Sequence, residues 1–575
     1  MNELVAGYTR DEFELLRKDA KAKFDQDRKN DWLEWLLWTT PHRAKHLLGL
    51  KNQDKVGGYP ILDGTHILSH RSFVAGFLEG NTSASRPWMR YQHPDPDRNR
   101  FLPNREYLDL ATSRVQSYLS NSNFYHQAGQ FYYDFGAVNT GCHIFKKFGN
   151  GLHVYTLMPG SYFPIVDALN EPIVVIREFS CHAMALVNRY GTKKDGKWDW
   201  SKFSLMVRNL FEKSDTTVMI ECVEIFCKNK NLNINEPISG TNRQWVNVTY
   251  ETGQSFGNGF AAQGFIPQPK DATYLEIGYS TRRPFIVGKS HGDGPYGEMG
   301  PTTSAINLIR SANKKAISKD IALEKMLDPT TQGPAHIRKS YLTTQARKHI
   351  PLDATAMAQG GLRTVFEVNP AIGALAADVQ DVRSQIEKFY YADFLLYLTN
   401  NPKTRTAEEV REIVTEKQSV IGPNLQTLNW SYNMPIAEYM LDFILHEDPY
   451  MPPPPDDLQG EAIGVEFTSV FAQVQKAFDL PQINEYVQRW MNIAQLNPAA
   501  WDNINLDMLA KTYEDRFYLP AGLNNPQSKV DAMRAQAARQ QQQQQMIDAI
   551  PAAAGASLDG VKAQQIQQQM MQGEG

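Results

Sequence analysis

The stretch that decides the fold runs from Tyr296 to Met326, YGEMGPTTSAINLIRSANKKAISKDIALEKM, and is answered by a second from Ala371 to Leu398, AIGALAADVQDVRSQIEKFYYADFLLYL. Pro301 with Thr302 or Thr303 opens a helix, because a proline at the first helical position gives up no hydrogen bond. Its main apolar positions are Ile306, Ile309, Ala316, Ile317 and Leu323. Arg310, Lys314, Lys315, Lys319 and Lys325 outnumber Asp320 and Glu324 along it, and Asp328-Pro329 stops it at Met326. In the second stretch Leu375, Val379, Val382, Ile386 and Phe389 step by four and three, a narrow seam suited to a neighbouring helix. Between the two, the loop from Pro329 to Pro351 carries Arg338, Lys339, Arg347 and Lys348 and contains no Asp or Glu. Just beyond the second helix, Lys403 and Arg405 sit in the turn from Asn400 to Arg405. Thr406-Ala-Glu-Glu409 is a capping-box pattern that starts a third helix, broken at Gly422-Pro423 and resuming to about Leu445. A hairpin of long helices with cations at both ends suits the wall of a channel for a polyanion.

Upstream, Phe13, Leu16, Phe24, Trp32, Leu33, Leu36 and Leu37 recur at helical spacing among charges, as expected of core-facing amphipathic helices. Further helices are predicted over Ile67 to Leu78, Asn104 to Ser120 and Phe124 to Asp134. From Gly136 the texture changes. His153–Met158, Ile173–Arg177, Thr217–Phe226, Trp245–Thr249 and Tyr274–Tyr279 are short, rich in β-branched and aromatic residues, and separated by Gly, Pro and Asn. That pattern predicts a twisted antiparallel sheet and an α+β class. Downstream, Pro452 to Pro455 form a stiff spacer, and helices are predicted at Phe467–Phe478, Ile483–Leu496 and Asp507–Tyr513. From about Asn524 the chain is rich in Ala, Gln and Met, with a glutamine run from Gln540 to Gln545.

At 575 residues the chain is too long for one small core, so roughly two to four structural regions are expected. No apolar run approaches the roughly 20 residues that cross a bilayer, and Met1 to Asp11 has no apolar core of the signal-peptide kind, so neither a membrane partner nor export is expected. Four scattered cysteines make no disulfide framework. The formal net charge of −4 argues against a protein that coats itself in phosphates, so contact with DNA has to come from local basic patches.

Catalytic signals fail on inspection. Val287-Gly-Lys-Ser290 imitates the end of a phosphate loop, but that motif needs a glycine where Arg283 stands. His291-Gly-Asp-Gly294 and Asp63-Gly-Thr-His66 offer one ligand pair each with no third ligand at metal spacing. Cys222 and Cys227 have no second pair and are read as buried thiols. No catalytic residue, metal or cofactor is expected.

The order of these signals is similar to that of the portal proteins, or head-to-tail connectors, of short-tailed bacteriophages, over roughly Phe13 to Leu523. The motifs that carry the resemblance are Ser72-Phe-Val-Ala-Gly-Phe-Leu-Glu-Gly80 with Arg86-Pro-Trp88, then Asp134-Phe-Gly-Ala-Val-Asn-Thr-Gly141 and Pro159-Gly-Ser-Tyr162. Arg177-Glu-Phe179, Arg283-Pro-Phe285 ahead of Tyr296-Gly297, Thr404 to Val410 and Leu425 to Pro435 follow. The chain departs from the family where Pro284 replaces a frequent Trp and Gly300-Pro301 replaces Ser-Pro. The resemblance implies a ring, normally a dodecamer, with wing, stem, clip and crown regions around a DNA channel. Residues 1–300 would be wing, 301–326 the first stem helix, 327–370 the clip and 371–399 the second stem helix. Residues 400–450 would hold the channel loop and a helix returning to the wing, 451–523 the crown, and 524–575 a tail or barrel.

On that layout Lys403 and Arg405, then Lys314, Lys315 and Lys319, are the candidates to touch double-stranded DNA. Arg338, Lys339, Arg347 and Lys348 would face the terminase and a tail adaptor or head-completion protein. Major capsid and scaffolding proteins are the other implied partners, at the capsid portal vertex of a virion assembled in the host cytoplasm. A tail or collar ring component is the alternative. A nuclease or packaging ATPase would need an acidic metal cluster or an intact phosphate loop.

Overall fold

The computed structural model describes residues 4–50, 55–95, 98–99, 101–148, 151–233, 235–237, 239–255, 266–267, 274–327, 331–332, 355, 358, 363–364, 372–392, 422–469, 485–491, 508–509 and 529–540. The chain divides into two compact units. The larger comprises Met1–Arg90, Ala111–Pro453 and Val465–Asp479; the smaller comprises Tyr91–Leu110, Pro454–Gly464 and Leu480–Gly575. In the smaller unit Leu458 is buried and Arg98 pairs with Glu461 at 2.7 Å.

The larger unit begins with α1 (Arg10–Asp27) and α2 (Lys29–Thr39). Thr9 and Glu12 close a reciprocal capping box on α1, satisfying amides that a helix start leaves open. Phe13 and Phe24 form its buried face, and Arg17 and Lys21 reach Glu178 at 2.6 and 2.7 Å. Trp32 of α2 meets Phe24, Tyr162 and Tyr296 with ring centroids 5.1 to 6.1 Å apart, so one aromatic cluster joins the first helices, the sheet and the approach to the hairpin. The next helices are α3 (Thr65–Asn81), α4 (Leu102–Asn121), of which only the part from Ala111 belongs to this unit, and α5 (Phe124–Val138).

Two antiparallel sheets follow. β1 (Thr140–Phe148) lies between β2 (Gly151–Thr156) and β8 (Phe285–Lys289). The larger sheet has the order β3 (Tyr162–Val166), β4 (Pro172–His182), β5 (Met219–Lys228), β6 (Trp245–Ser255), with β7 (Glu276–Ser280) and the short strand Ile266–Pro267 both on the far side of β6. Opposite charges face each other across β4 and β5, where Arg177 pairs with buried Glu224 at 2.9 Å, and Lys146 of β1 reaches the same carboxylate at 2.5 Å. The β4–β5 connection holds α6 (Ala183–Tyr190) and α7 (Leu205–Glu212), which bury Leu186, Val187 and Val207 in a core of their own. The α+β class stands. The five strand segments read from the sequence lie on or overlap β2, β4, β5, β6 and β7.

Two elements of the first sheet were not among them. β1 and β8 carry Gly141 and Gly288, and the Val287-Gly-Lys-Ser290 stretch that imitates a phosphate loop is the end of β8. The glycines are there because the Phe131 ring of α5 lies against both. A Cβ at either position would come within 2.5 Å of it. Phe131 in turn stacks on Tyr432 at 3.8 Å. Tyr432 belongs to a single π-helical turn, Asn429–Asn433, leading into α10 (Met434–Glu447).

The hairpin comprises α8 (Pro301–Leu327) and α9 (Ile372–Phe389), which pack on one another. α8 matches the sequence expectation. α9 is interrupted after Phe389, where Tyr391 adopts φ 54°, outside helical space; Ala392 is helical again, and the rest of the expected span to Leu398 lies outside the described residues. Phe467, expected to begin a helix, ends the strand Gly464–Phe467. Of the other downstream helices, 485–491 is helical within the expected Ile483–Leu496.

Candidate nucleic-acid interface

The hairpin is held at its base by groups that no charge pattern would disclose. α5 ends on Asn139 in the left-handed region, φ 63°, and its Nδ2 donates to the Glu298 carbonyl at 3.2 Å and to Thr303 Oγ1 at 2.5 Å. Gly300 makes room for that amide, since a Cβ there would sit 1.8 Å from Asn139 Oδ1. Thr302 Oγ1 donates to the Gly136 carbonyl at 2.6 Å and shares a 2.8 Å hydrogen bond with the Tyr390 hydroxyl. The start of α8 and the end of α9 are therefore tied at one buried point. Burial raises the Tyr390 phenol well above its ordinary range, so it stays a neutral donor.

Further along α8, buried Asn313 accepts from the Leu62 and Asp63 amides at 3.0 and 3.2 Å, and Arg383 of α9 meets Asp63 at 2.8 Å. Ala305, Ile306, Ile309 and Ala312 are buried on α8, and Val379, Val382 and Ile386 on α9. Beyond Asn313 the helix leaves the core, for Ile317 and Ile321 are 42 % and 45 % exposed. A helix of 27 residues at 1.5 Å each is about 40 Å long, and roughly its second half is free of this packing.

The three candidate lysines of this helix divide. Lys315 forms an ion pair with Asp378 of α9 at 2.6 Å, so its charge is committed inside the hairpin. Lys314 is exposed and Lys319 half-buried, without an acidic partner among the described residues. At 100° per residue Lys314 lies on the far side of α8 from Ala305, Ile309 and Ala312. Lys403, Arg405, Arg338, Lys339, Arg347 and Lys348 lie outside the described residues.

The residues that sequence reasoning missed, Asn139, Thr302, Asn313 and Tyr390, are uncharged and buried. Only Asn139 carried a visible signal, its place in the run Asp134-Phe-Gly-Ala-Val-Asn-Thr-Gly141. Asp134 takes the Arg43 guanidinium, which also donates to the Leu157 carbonyl at 3.0 Å. Gly136 faces the His70 ring, Asn139 holds the hairpin, and Gly141 receives Phe131. Lys289, the lysine of the false phosphate loop, donates to Asn170 Oδ1 at 2.7 Å and to the Gly294 carbonyl at 2.5 Å, and so acts as a loop brace. Cys222 and Cys227 are buried thiols. Among the described residues no group of His, Cys, Asp and Glu is arranged to hold a metal ion, and no helix is long and apolar enough to cross a membrane.

A family model described as bacteriophage head to tail connecting protein matches residues 16–523. The chain belongs to that family. It is 24% identical over 538 residues to the portal protein of Salmonella phage epsilon15, covering 93% of this chain and 92% of that protein. It is 27% identical over 514 residues to the probable portal protein of Bordetella phage BPP-1, covering 89% and 88%. A solved virion of a native gene transfer agent particle aligns with 79% of this chain and 95% of its own, at 9% identity and a TM-score of 0.33, too weak a likeness to carry an argument. The connector is a structural component of the phage particle, a portal at the capsid vertex that serves DNA packaging and head–tail connection.

Proposed function

We propose that the connector assembles as a closed ring, a dodecamer on the family pattern, in which the α8–α9 hairpin is the stem wall of the DNA channel. The observation that carries this reading is the hairpin itself, locked at its base by Asn139, Thr302, Asn313 and Tyr390 while the rest of α8 leaves the core with Lys314 exposed. In this layout 1–300 is wing, 327–370 clip, 400–450 the channel loop and return helix, 451–523 crown, and 524–575 tail.

Double-stranded DNA has to slide through such a channel. Each fixed cation contact adds salt-dependent affinity, so a lining dense in lysine would trap it. A few cations repeated by symmetry, on a chain of net charge −4, centre the duplex without holding it. Lys403 and Arg405 at the channel turn, with Lys314 and Lys319 on the stem, fill that role; Lys315 contributes less because Asp378 neutralises it. Arg338, Lys339, Arg347 and Lys348, in a stretch of sequence without Asp or Glu, are the residues to meet the terminase and a tail adaptor. Capsid and scaffolding proteins surround the ring during assembly in the host cytoplasm.

The test replaces Lys403 and Arg405 together by Ala. Rings should form as before while packaged or retained DNA falls. Unchanged DNA content in the particles removes that turn from the DNA-contact surface.

A further inference from the structure

The β4–β5 connection carries charge opposite in sign to that of the whole chain. Residues 183–215 hold seven Lys and Arg against four Asp and Glu, a net of +3 where the chain as a whole has −4. Internal ion pairs do not remove the surplus. Lys194 pairs with Asp199 at 2.8 Å and Arg208 with Glu212 at 2.9 Å, one cation to one acid each. Lys193, Lys197, Lys202 and Lys213 have no acidic partner among the described residues. The two acids left over are Asp195, in a turn, and Asp215, which accepts from the Thr217 amide and hydroxyl at 2.8 and 2.7 Å.

Three of these lysines stand together on a built support. Lys193–Lys194 and Lys197–Trp198 pair as a two-stranded antiparallel ribbon. Asp195 and Gly196 close it with φ values of 50° and 75°, the mirror-image turn that matches strand twist. Every residue from Lys193 to Lys197 is exposed. Lys194 faces Lys197 directly across the ribbon, a position in which like charges repel. The root is fixed. Trp198 meets Phe211 of α7 at 5.9 Å and closes on Gly191, where a Cβ would stand 3.0 Å from the indole. The Asp199 amide donates to the Thr192 carbonyl at 2.9 Å, and the Lys193 ammonium lies 4.7 Å over the Trp198 ring. A braced ribbon therefore holds opposed ammonium groups out in solvent.

The chemistry of the tip selects the partner. Lys193-Lys-Asp-Gly-Lys197 contains no apolar side chain to anchor a protein surface. It contains no arginine either, the residue whose planar fork fits a carboxylate; lysine offers point charges, which suit phosphates at any angle. We propose that this ribbon is a further contact for double-stranded DNA, separate from the α8–α9 hairpin, in which Lys193, Lys194 and Lys197 bear on backbone phosphates without reading sequence. A phosphate between Lys194 and Lys197 relieves their repulsion. The inference rests on the connector's service to DNA packaging, and neither on the ring nor on which residues line its channel.

The test measures binding of a labelled duplex of random sequence to the full chain by fluorescence anisotropy over a salt series. Lys193→Gln/Lys194→Gln/Lys197→Gln should weaken binding at low salt at least about fivefold and lower the slope of log K against log salt by about 2, since each phosphate contact contributes about 0.9 and Asp199 shares Lys194. The circular dichroism spectrum should not change, because the three side chains are exposed. Arginine at the same three positions should restore the slope. Glutamine at Lys23, Lys55 and Lys228, exposed lysines elsewhere, removes equal charge and should leave the slope as it is. An unchanged slope in the ribbon variant, or an equal fall in the control variant, overturns the proposal, as does a wild-type chain that binds no duplex. If the ribbon variant loses binding to polyglutamate but keeps binding to the duplex, the ribbon serves an acidic protein and the DNA contact is overturned.

Discussion

Replacing Gly300 by Ala tests the base of the hairpin most sharply. The new Cβ would lie 1.8 Å from Asn139 Oδ1, so the amide has to swing away. It then loses its hydrogen bonds to the Glu298 carbonyl and Thr303 Oγ1, about 1 kcal/mol each. Overpacking of the displaced side chain adds about 1–2 kcal/mol, for a total of about 3–4 kcal/mol. Asn139→Gly removes the same two bonds but suits φ 63°, so its cost is about 1–2 kcal/mol. If the clash is the cause, Gly300→Ala costs little once the amide is gone, and the double variant shows a coupling of about 2 kcal/mol or more. Urea unfolding followed by tryptophan fluorescence measures it, with Trp32 reporting from 5.1 Å away from Tyr296. Additive costs in the double variant would refute the reasoning, for they would mean that Gly300 is required for some other reason.

Two further outcomes follow from buried groups. Arg43→Ala should destabilise the larger unit by about 3–5 kcal/mol, because it strands the Asp134 carboxylate in the core; Asp134→Asn in the same background should recover part of the loss, as read from the urea midpoint. Burial lowers His70 to about 4 and His143 to about 3, so between those values and the ordinary 6.5 the unfolded chain binds protons that the folded chain refuses. Stability contributed by the two neutral rings is therefore present above pH 6.5 and lost as pH falls toward 4, with a combined slope near pH 5 of about 2.7 kcal/mol per unit. His70→Gln/His143→Gln should flatten that slope, and an unchanged slope would assign acid sensitivity to other groups.

What could be read from the sequence was what periodicity encodes. The steps of four and three through Val379, Val382 and Ile386 disclosed a helix seam, and all three are buried there. β-branched clusters disclosed β4, β5 and β6. The failures came where a residue serves a distant neighbour rather than its own element. Gly288 looked like part of a phosphate loop and Gly141 like one letter of a motif, because nothing local shows that Phe131 is pressed against them. Phe467 looked like the first residue of a helix, and Tyr391 gave no sign of the left-handed conformation that interrupts α9. The charge pattern marked the cations of the hairpin but not that Asp378 claims Lys315. Anchors such as Asn139, Thr302 and Tyr390 carry no charge and keep no period, so only the folded chain brings them together.

The central claim is that this chain forms a ring whose channel is lined by the α8–α9 hairpin. Electron cryomicroscopy of the purified connector tests it directly. The account predicts closed rings with a central hole, the hairpins facing the axis and Lys314 turned toward the lumen. A stable monomer, or a ring that carries its hairpins on the outer rim, would contradict it.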